Sequence, residues 1–149
     1  MLLNIVTDEE LLASEVVKTI LLMLILVGIF FNLVRIIRSS TKSSKVINII
    51  ILFFLFVVAF FVGKEYMVEG AMLRGTQYVK GTTIGYCSMF ALGKGIEFEY
   101  EINGKKFRKC NTFYPVEKDS IKVPGGEYSV RYSQSFADKG RMDFQKKVK

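Results

Sequence analysis

The sequence predicts an α+β membrane protein: a two-helix transmembrane hairpin followed by a small antiparallel β domain of about five strands, an SH3- or OB-like barrel or a bent sheet. Three observations predict it. Residues 16–34 and 46–62 are two nearly unbroken apolar runs. The segment between them carries four cations and no acid. From residue 77 onward the pattern changes to short alternating segments separated by Gly-containing turns, one of them an Asn-Gly pair.

The first run, Val16 to Val34, has Lys18 and Asn32 as its strongly polar members, both near its ends. As a helix it spans about 28 Å, close to the ~30 Å hydrocarbon core of a bilayer. A chain of 149 residues cannot bury two helices that are apolar on every face inside one soluble core. The run is expected to be retained rather than cleaved. Residues 1–15 hold Asp8, Glu9, Glu10 and Glu15 but no Lys or Arg, and no small-residue cleavage pattern follows Val34. Residues 1–15 then form an extracytoplasmic tail, in which residues 8–15 are a short amphipathic turn or helix on the membrane surface with Leu11 and Leu12 toward lipid.

The loop 35–45 contains Arg35, Arg38, Lys42 and Lys45 and no Asp or Glu. Such loops stay in the cytoplasm, which places the N-terminus and everything after residue 63 outside it. Ser39, Ser40, Thr41, Ser43 and Ser44 make this loop polar and flexible in prospect. The second span, 46–63, contains one polar residue, Asn48, and ends at Gly63 with Lys64 and Tyr66 able to reach the interface. Asn32 and Asn48 come to similar depth in an antiparallel hairpin, so a hydrogen bond between them is a candidate interhelix contact. Residues 64–76 are a juxtamembrane connector, and 77–149 the extracytoplasmic β domain.

In the β domain, 77–89 is the first strand and 91–95 a turn. Residues 96–102 alternate Ile96, Phe98, Tyr100 and Ile102 with Glu97, Glu99 and Glu101. Asn103-Gly104 favours a type I′ hairpin. That turn pairs Ile102 with Lys105, Glu101 with Lys106, Tyr100 with Phe107 and Glu99 with Arg108, and carries Cys110 opposite Glu97. Opposite charges meet on the outer face, so the glutamates belong to a solvated surface rather than to a catalytic centre. A loop from Pro115 to Pro124-Gly125-Gly126 leads to 127–133, with Tyr128, Val130 and Tyr132 inward and Ser129 and Arg131 outward. Residues 141–145 close the domain.

The order YEINGKKF, PGGEYSVRYSQSF and a closing strand resembles a family of small bacterial membrane proteins of unassigned function. These pair one or two membrane helices with an extracytoplasmic β domain. Phe98, Tyr100, Asn103, Gly104, Lys105 and Phe107 fit the first stretch of its pattern, and Gly126, Tyr128, Val130 and Tyr132 the second. The usual Asp-Pro after that last Tyr is Ser133-Gln134 here. The resemblance implies the fold and carries no catalytic residue across; the expected location is the inner membrane, crossed twice.

The chemistry available is narrow. There is no His and no Trp, and only two Cys. That excludes His-based acid–base catalysis, His-activated nucleophiles and the usual zinc sites. Gly93-Lys94-Gly95 lacks the helix a phosphate loop needs. No enzyme activity and no cofactor are expected. Residues 64–149 hold 16 of the 21 Lys and Arg, and the chain's net charge is +7. Lys105, Lys106 and Lys109, with Lys146, Lys147 and Lys149, suit anionic headgroups or an acidic envelope protein rather than nucleic acid outside the cytoplasm. Cys87 and Cys110 are a candidate disulfide joining the first strand to the third. The expected function is a membrane-anchored, non-enzymatic interaction module, with an immunity or accessory factor for another envelope protein as its concrete form. A small homo-oligomeric channel or transporter subunit is the alternative, and homo-oligomerisation is open in either case.

Overall fold

The computed structural model describes residues 6–39, 41–89, 93–112 and 116–148. Two helices, α1 (Asp8–Arg38) and α2 (Lys42–Arg74), precede five strands: β1 (Thr76–Met89), β2 (Gly93–Ile102), β3 (Lys105–Asn111), β4 (Glu127–Ser133) and β5 (Arg141–Lys147). The chain divides into a helical unit, Leu12–Gly70, and a sheet unit made by the segment ending at Leu11 together with Ala71–Lys149.

Both helices outrun the apolar segments. With 31 and 33 residues they extend about 47 and 50 Å. Each is long and apolar enough to cross a membrane. Loss of hydropathy does not end a helix, because Lys, Arg, Glu, Met and Ala are all good helix formers. The expected connector 64–76 is therefore helical through Arg74, where the Gly75 N–H donates to Ala71 O at 3.0 Å and β1 begins at once. The flexible loop shrinks in the same way to residues 39–41, with Ser43 and Ser44 inside the first turn of α2; Ser40 lies outside the described residues. Residues 8–15 are the first two turns of α1 and not a separate surface helix. Leu12 is exposed but Leu11 is fully buried within the sheet unit, so it does not face lipid. The helix start is a capping box: Glu10 N–H donates to Thr7 Oγ1 and Thr7 N–H to Glu10 Oε2, each at 3.3 Å.

In the helical unit, Ile25 and Ile29 of α1 are buried, and Gly28 faces Leu55 of α2. The Phe residues at 53, 54, 56, 60 and 61 all point outward.

The sheet is open and antiparallel, in the order β3-β2-β1-β4-β5. β1 to β4 form a Greek key, since β4 returns to lie beside β1. No backbone ladder joins β3 to β5 among the described residues, so the closed-barrel alternative is not adopted. Asn103 and Gly104 have φ of 50° and 79°, the two positive values a type I′ turn needs. The β2–β3 register pairs Ile102 with Lys105, Glu101 with Lys106, Tyr100 with Phe107, Glu99 with Arg108 and Glu97 with Cys110, as the turn predicts. The expected 91–95 turn is shorter: Gly93 to Gly95 already pair with β1, and residues 91 and 92 lie outside the described residues, as does Pro115. An irregularity between Thr83 and Gly85 adds Ile84 to β1 and reverses its facing. The Thr83 hydroxyl donates to Lys122 O and accepts from Gly126 N–H, both at 2.8 Å, fastening the Pro124-Gly125-Gly126 turn there.

One face carries the core: Ile96, Phe98, Tyr100 and Ile102 of β2, Tyr128, Val130 and Tyr132 of β4, and Met142 and Phe144 of β5, with Ile121 from the loop. The Tyr100 ring stacks between Phe98 at 5.9 Å and Phe107 at 5.4 Å.

Candidate functional site

Of the basic groups singled out in the sequence, Lys105, Lys106 and Lys109 sit on edge strand β3, where they do not share a face, while Lys146 and Lys147 end β5 and Lys149 lies outside the described residues. Strand alternation puts Lys105 and Lys109 on the side of Phe107, and Lys106 on the opposite side with Arg108 and Cys110. This corrects the reading of Lys105, Lys106 and Lys109 as one basic surface. Lys106 Nζ lies 3.3 Å from Glu99 Oε1, reaching diagonally past its register partner Glu101, and Arg108 Nε donates to Glu99 Oε2 at 2.9 Å. The Arg108 bond, and then the Lys106 bond, hold the Glu99 carboxyl below the usual carboxylate range, and Glu99 raises the Arg108 guanidinium in return. Glu99 is thus a charged strut and a poor proton donor. Lys105 and Lys109 have no carboxylate partner among the described residues; the Lys105 ammonium lies 5.3 Å from the Phe107 ring centre. Among the described residues, β3 is an end strand of the sheet that carries two cations without a carboxylate partner.

Cys87 and Cys110 are joined by a disulfide with Cα atoms 6.0 Å apart. They lie on β1 and β3, with β2 between. In a flat sheet such strands run about 9.5 Å apart, beyond a disulfide's reach. The sheet therefore bends sharply across β2, and it does so at Gly95. A Cβ there would fall 2.5 Å from Asn111 O and 3.0 Å from Cys110 Sγ.

The face of β4 that carries Ser129 and Arg131, expected to point outward, is instead built with β5 on buried charge. Arg131 is 2% exposed. It donates to Val6 O at 2.8 Å, Asp8 Oδ1 at 2.6 Å, Met72 O at 3.1 Å and Thr76 Oγ1 at 2.7 Å. One side chain thus ties the start of α1, the end of α2 and β1 to β4. Arg141 lies opposite Arg131 across the ladder, and Asp143 is buried beside it. Nothing in the alternation of 127–133 separates such an arginine from a solvated one, because its acceptors come from distant segments of the chain.

No hydrogen bond joins Asn32 to Asn48 among the described residues. Asn32 Oδ1 is buried without a partner, and Asn48 lines a cleft nearer the turn with Arg35 and Arg38. A polar contact between the helices lies at the other end of the hairpin. Lys18 pairs with Glu69, and Ser14 Oγ donates to the same carboxylate at 2.9 Å. Lys18, a lone cation in an apolar run, is the signal that points there, since it needs a carboxylate from the facing helix.

Comparison of the chain with protein-family models, with curated proteins and with solved structures finds no match to any of them.

Proposed function

We propose that the chain is a two-pass inner-membrane protein whose helical hairpin anchors a non-enzymatic binding module. The turn at 39–41 lies in the cytoplasm, and the N-terminus and sheet lie on the other side. The acid-free cationic turn supports this orientation. So does the disulfide, a bond that persists in oxidising compartments. The resemblance to small membrane proteins with an extracytoplasmic β domain points the same way. The partner is an acidic, extended segment of another envelope protein, and an immunity or accessory factor is the concrete form.

The observation that carries the binding reading is the open β3 edge. An end strand suits strand addition, while Lys105 and Lys109 lack counterions among the described residues. The same charges discourage pairing with a second basic edge, so they select an acidic strand.

The test uses the full-length protein, an Asp- and Glu-rich extended peptide and a neutral peptide of equal length. The acidic peptide should bind in preference, with affinity falling as salt rises. The Lys105→Glu, Lys109→Glu double variant should weaken binding about tenfold, roughly 1.4 kcal/mol. Replacing residues 16–63 by an unrelated hairpin of the same topology should leave binding intact. Equal binding by the double variant, or loss only on the hairpin swap, overturns the reading; the second result is what a channel subunit would give.

A further inference from the structure

The turn end of the helical hairpin holds a cleft of about 640 Å³, remote from the β3 edge in sequence and unused by strand addition. Its walls are graded. Phe31 and Val34 of α1 line the side toward the middle of the hairpin, and Arg35 and Arg38 follow a helical turn closer to its end. Ser39, Ser44 and Asn48 complete the polar rim.

Three features make this more than a basic surface. First, no Asp or Glu occurs anywhere from residue 16 to residue 64, so the two guanidiniums have no carboxylate on either helix at this end. Second, the cations in the cleft are the two arginines, three residues apart on one helix face, while Lys42 and Lys45 lie outside it. Guanidinium is the group that engages phosphate oxygens in a bidentate fork. Third, Asn48 is 7% exposed, lines the cleft and has no side-chain hydrogen-bond partner among the described residues. Its amide is open to the cleft with its hydrogen-bonding capacity unspent, on an otherwise apolar stretch of helix.

We infer that this cleft binds the phosphate of an anionic glycerophospholipid. Phosphate oxygens accept from Arg35 and Arg38 and from the Ser39 and Ser44 hydroxyls. The Asn48 amide meets the glycerol ester oxygens, and the first acyl carbons run along Phe31 and Val34. The ligand is amphiphilic in the same sense as the cleft, charged at the turn and apolar one helical turn inward. The assignment rests on the reading of both helices as membrane spans. It is independent of which side the turn faces and of what the β3 edge binds.

The experiment is lipid retention by native mass spectrometry of the full-length protein, released from lipid nanodiscs of equal phosphatidylglycerol and phosphatidylcholine, with soluble glycerol phosphate as a competitor. Phosphatidylglycerol should be retained at least tenfold over phosphatidylcholine. Arg35→Gln with Arg38→Gln should abolish that preference, the matching Lys pair should keep only a fraction of it, and Asn48→Leu should weaken it several-fold. Lys42→Gln with Lys45→Gln removes the same charge outside the cleft and should leave the preference intact. Equal losses in the arginine and lysine pairs would mean diffuse electrostatics and overturn the site. Displacement of the lipid by glycerol phosphate at equal concentration would make the ligand a soluble phosphate ester and overturn the lipid assignment. A chain that does not enter nanodiscs at all would refute the membrane reading instead, a result distinct from both.

Discussion

Tyr100 shows how a core side chain can be partly legible in sequence and still hide its main task. Its inward position, its pairing with Phe107 and its place in the aromatic stack follow from strict alternation and the Asn103-Gly104 turn. Its hydroxyl does not: it donates to Ala137 O at 2.7 Å and accepts from the Gly140 N–H at 2.9 Å, stapling a short 3-10 segment 37 to 40 residues away onto the sheet. Burial raises the Tyr100 pKa from its ordinary 10 to about 12. The folded state thus holds the phenol proton more tightly than the unfolded chain does. That stabilisation is complete below pH 10 and disappears as pH rises through about 12, at most roughly 2–3 kcal/mol. Tyr100→Phe leaves a buried N–H and a carbonyl unpaired, so it should lower stability near neutral pH by about 1–3 kcal/mol. It should also flatten the loss between pH 10 and 12. Urea unfolding of both proteins across that range checks this; parallel pH curves would show that the hydroxyl is not the titrating group. The lysine split on β3 is equally legible in principle, since alternation alone separates Lys106 from Lys105 and Lys109. The diagonal reach of Lys106 to Glu99 is not, because it depends on where Arg108 holds that carboxylate and on the twist of the hairpin.

The hairpin β2–β3 is the element most completely written in local sequence, with its turn type, register and faces all set within residues 96–111. The bend across it is different. It needs Gly95 to leave room, Cys87 to arrive from β1, and the extra Ile84 to set which way Cys87 points. Each is innocuous when read alone, and only their coincidence brings the sulfurs together. The bridge closes a loop with a sequence separation of 23 residues, for which chain entropy gives about 3 kcal/mol. Replacing both cysteines by Ala should lower stability by roughly that amount. Wild-type protein should take up no thiol reagent until reduced, and should then label at both positions. Labelling without reductant, or a variant as stable as wild type, would remove the bridge from the account. The helices fail to be legible at their ends for a complementary reason. Hydropathy marks where lipid solvates a helix, whereas caps and propensity mark where the helix stops. The Thr7–Glu10 capping box stands in plain view as a T-x-x-E pattern, and the run from Lys64 to Arg74 lacks any breaker stronger than Gly70.

Two independent features of the chain support the proposed orientation. Charge is the first: Asp8, Glu9, Glu10 and Glu15 precede the first span, and four cations without an acid occupy the turn. Redox state is the second, since Cys87 and Cys110 are bridged. The +6 balance of residues 64–149 opposes the first indicator, but a domain of this length translocates largely regardless of its charge. The short turn should therefore decide orientation, and the disulfide should report the outcome from inside the molecule. A reporter fused after Lys149 should be active only outside the cytoplasm, with both thiols protected. Changing Arg35, Arg38, Lys42 and Lys45 to Gln, together with Glu9→Lys and Glu15→Lys, transfers the positive bias from the turn to the N-terminus. A fraction of chains should then invert, and in that fraction two readouts must change together: the reporter becomes active in the cytoplasm, and Cys87 and Cys110 become reactive to alkylation without reductant. Reporter inversion with the bridge intact would mean that the disulfide says nothing about compartment. If neither readout moves, the turn cations do not set the topology, and Arg35 and Arg38 keep only the role proposed for them in the cleft.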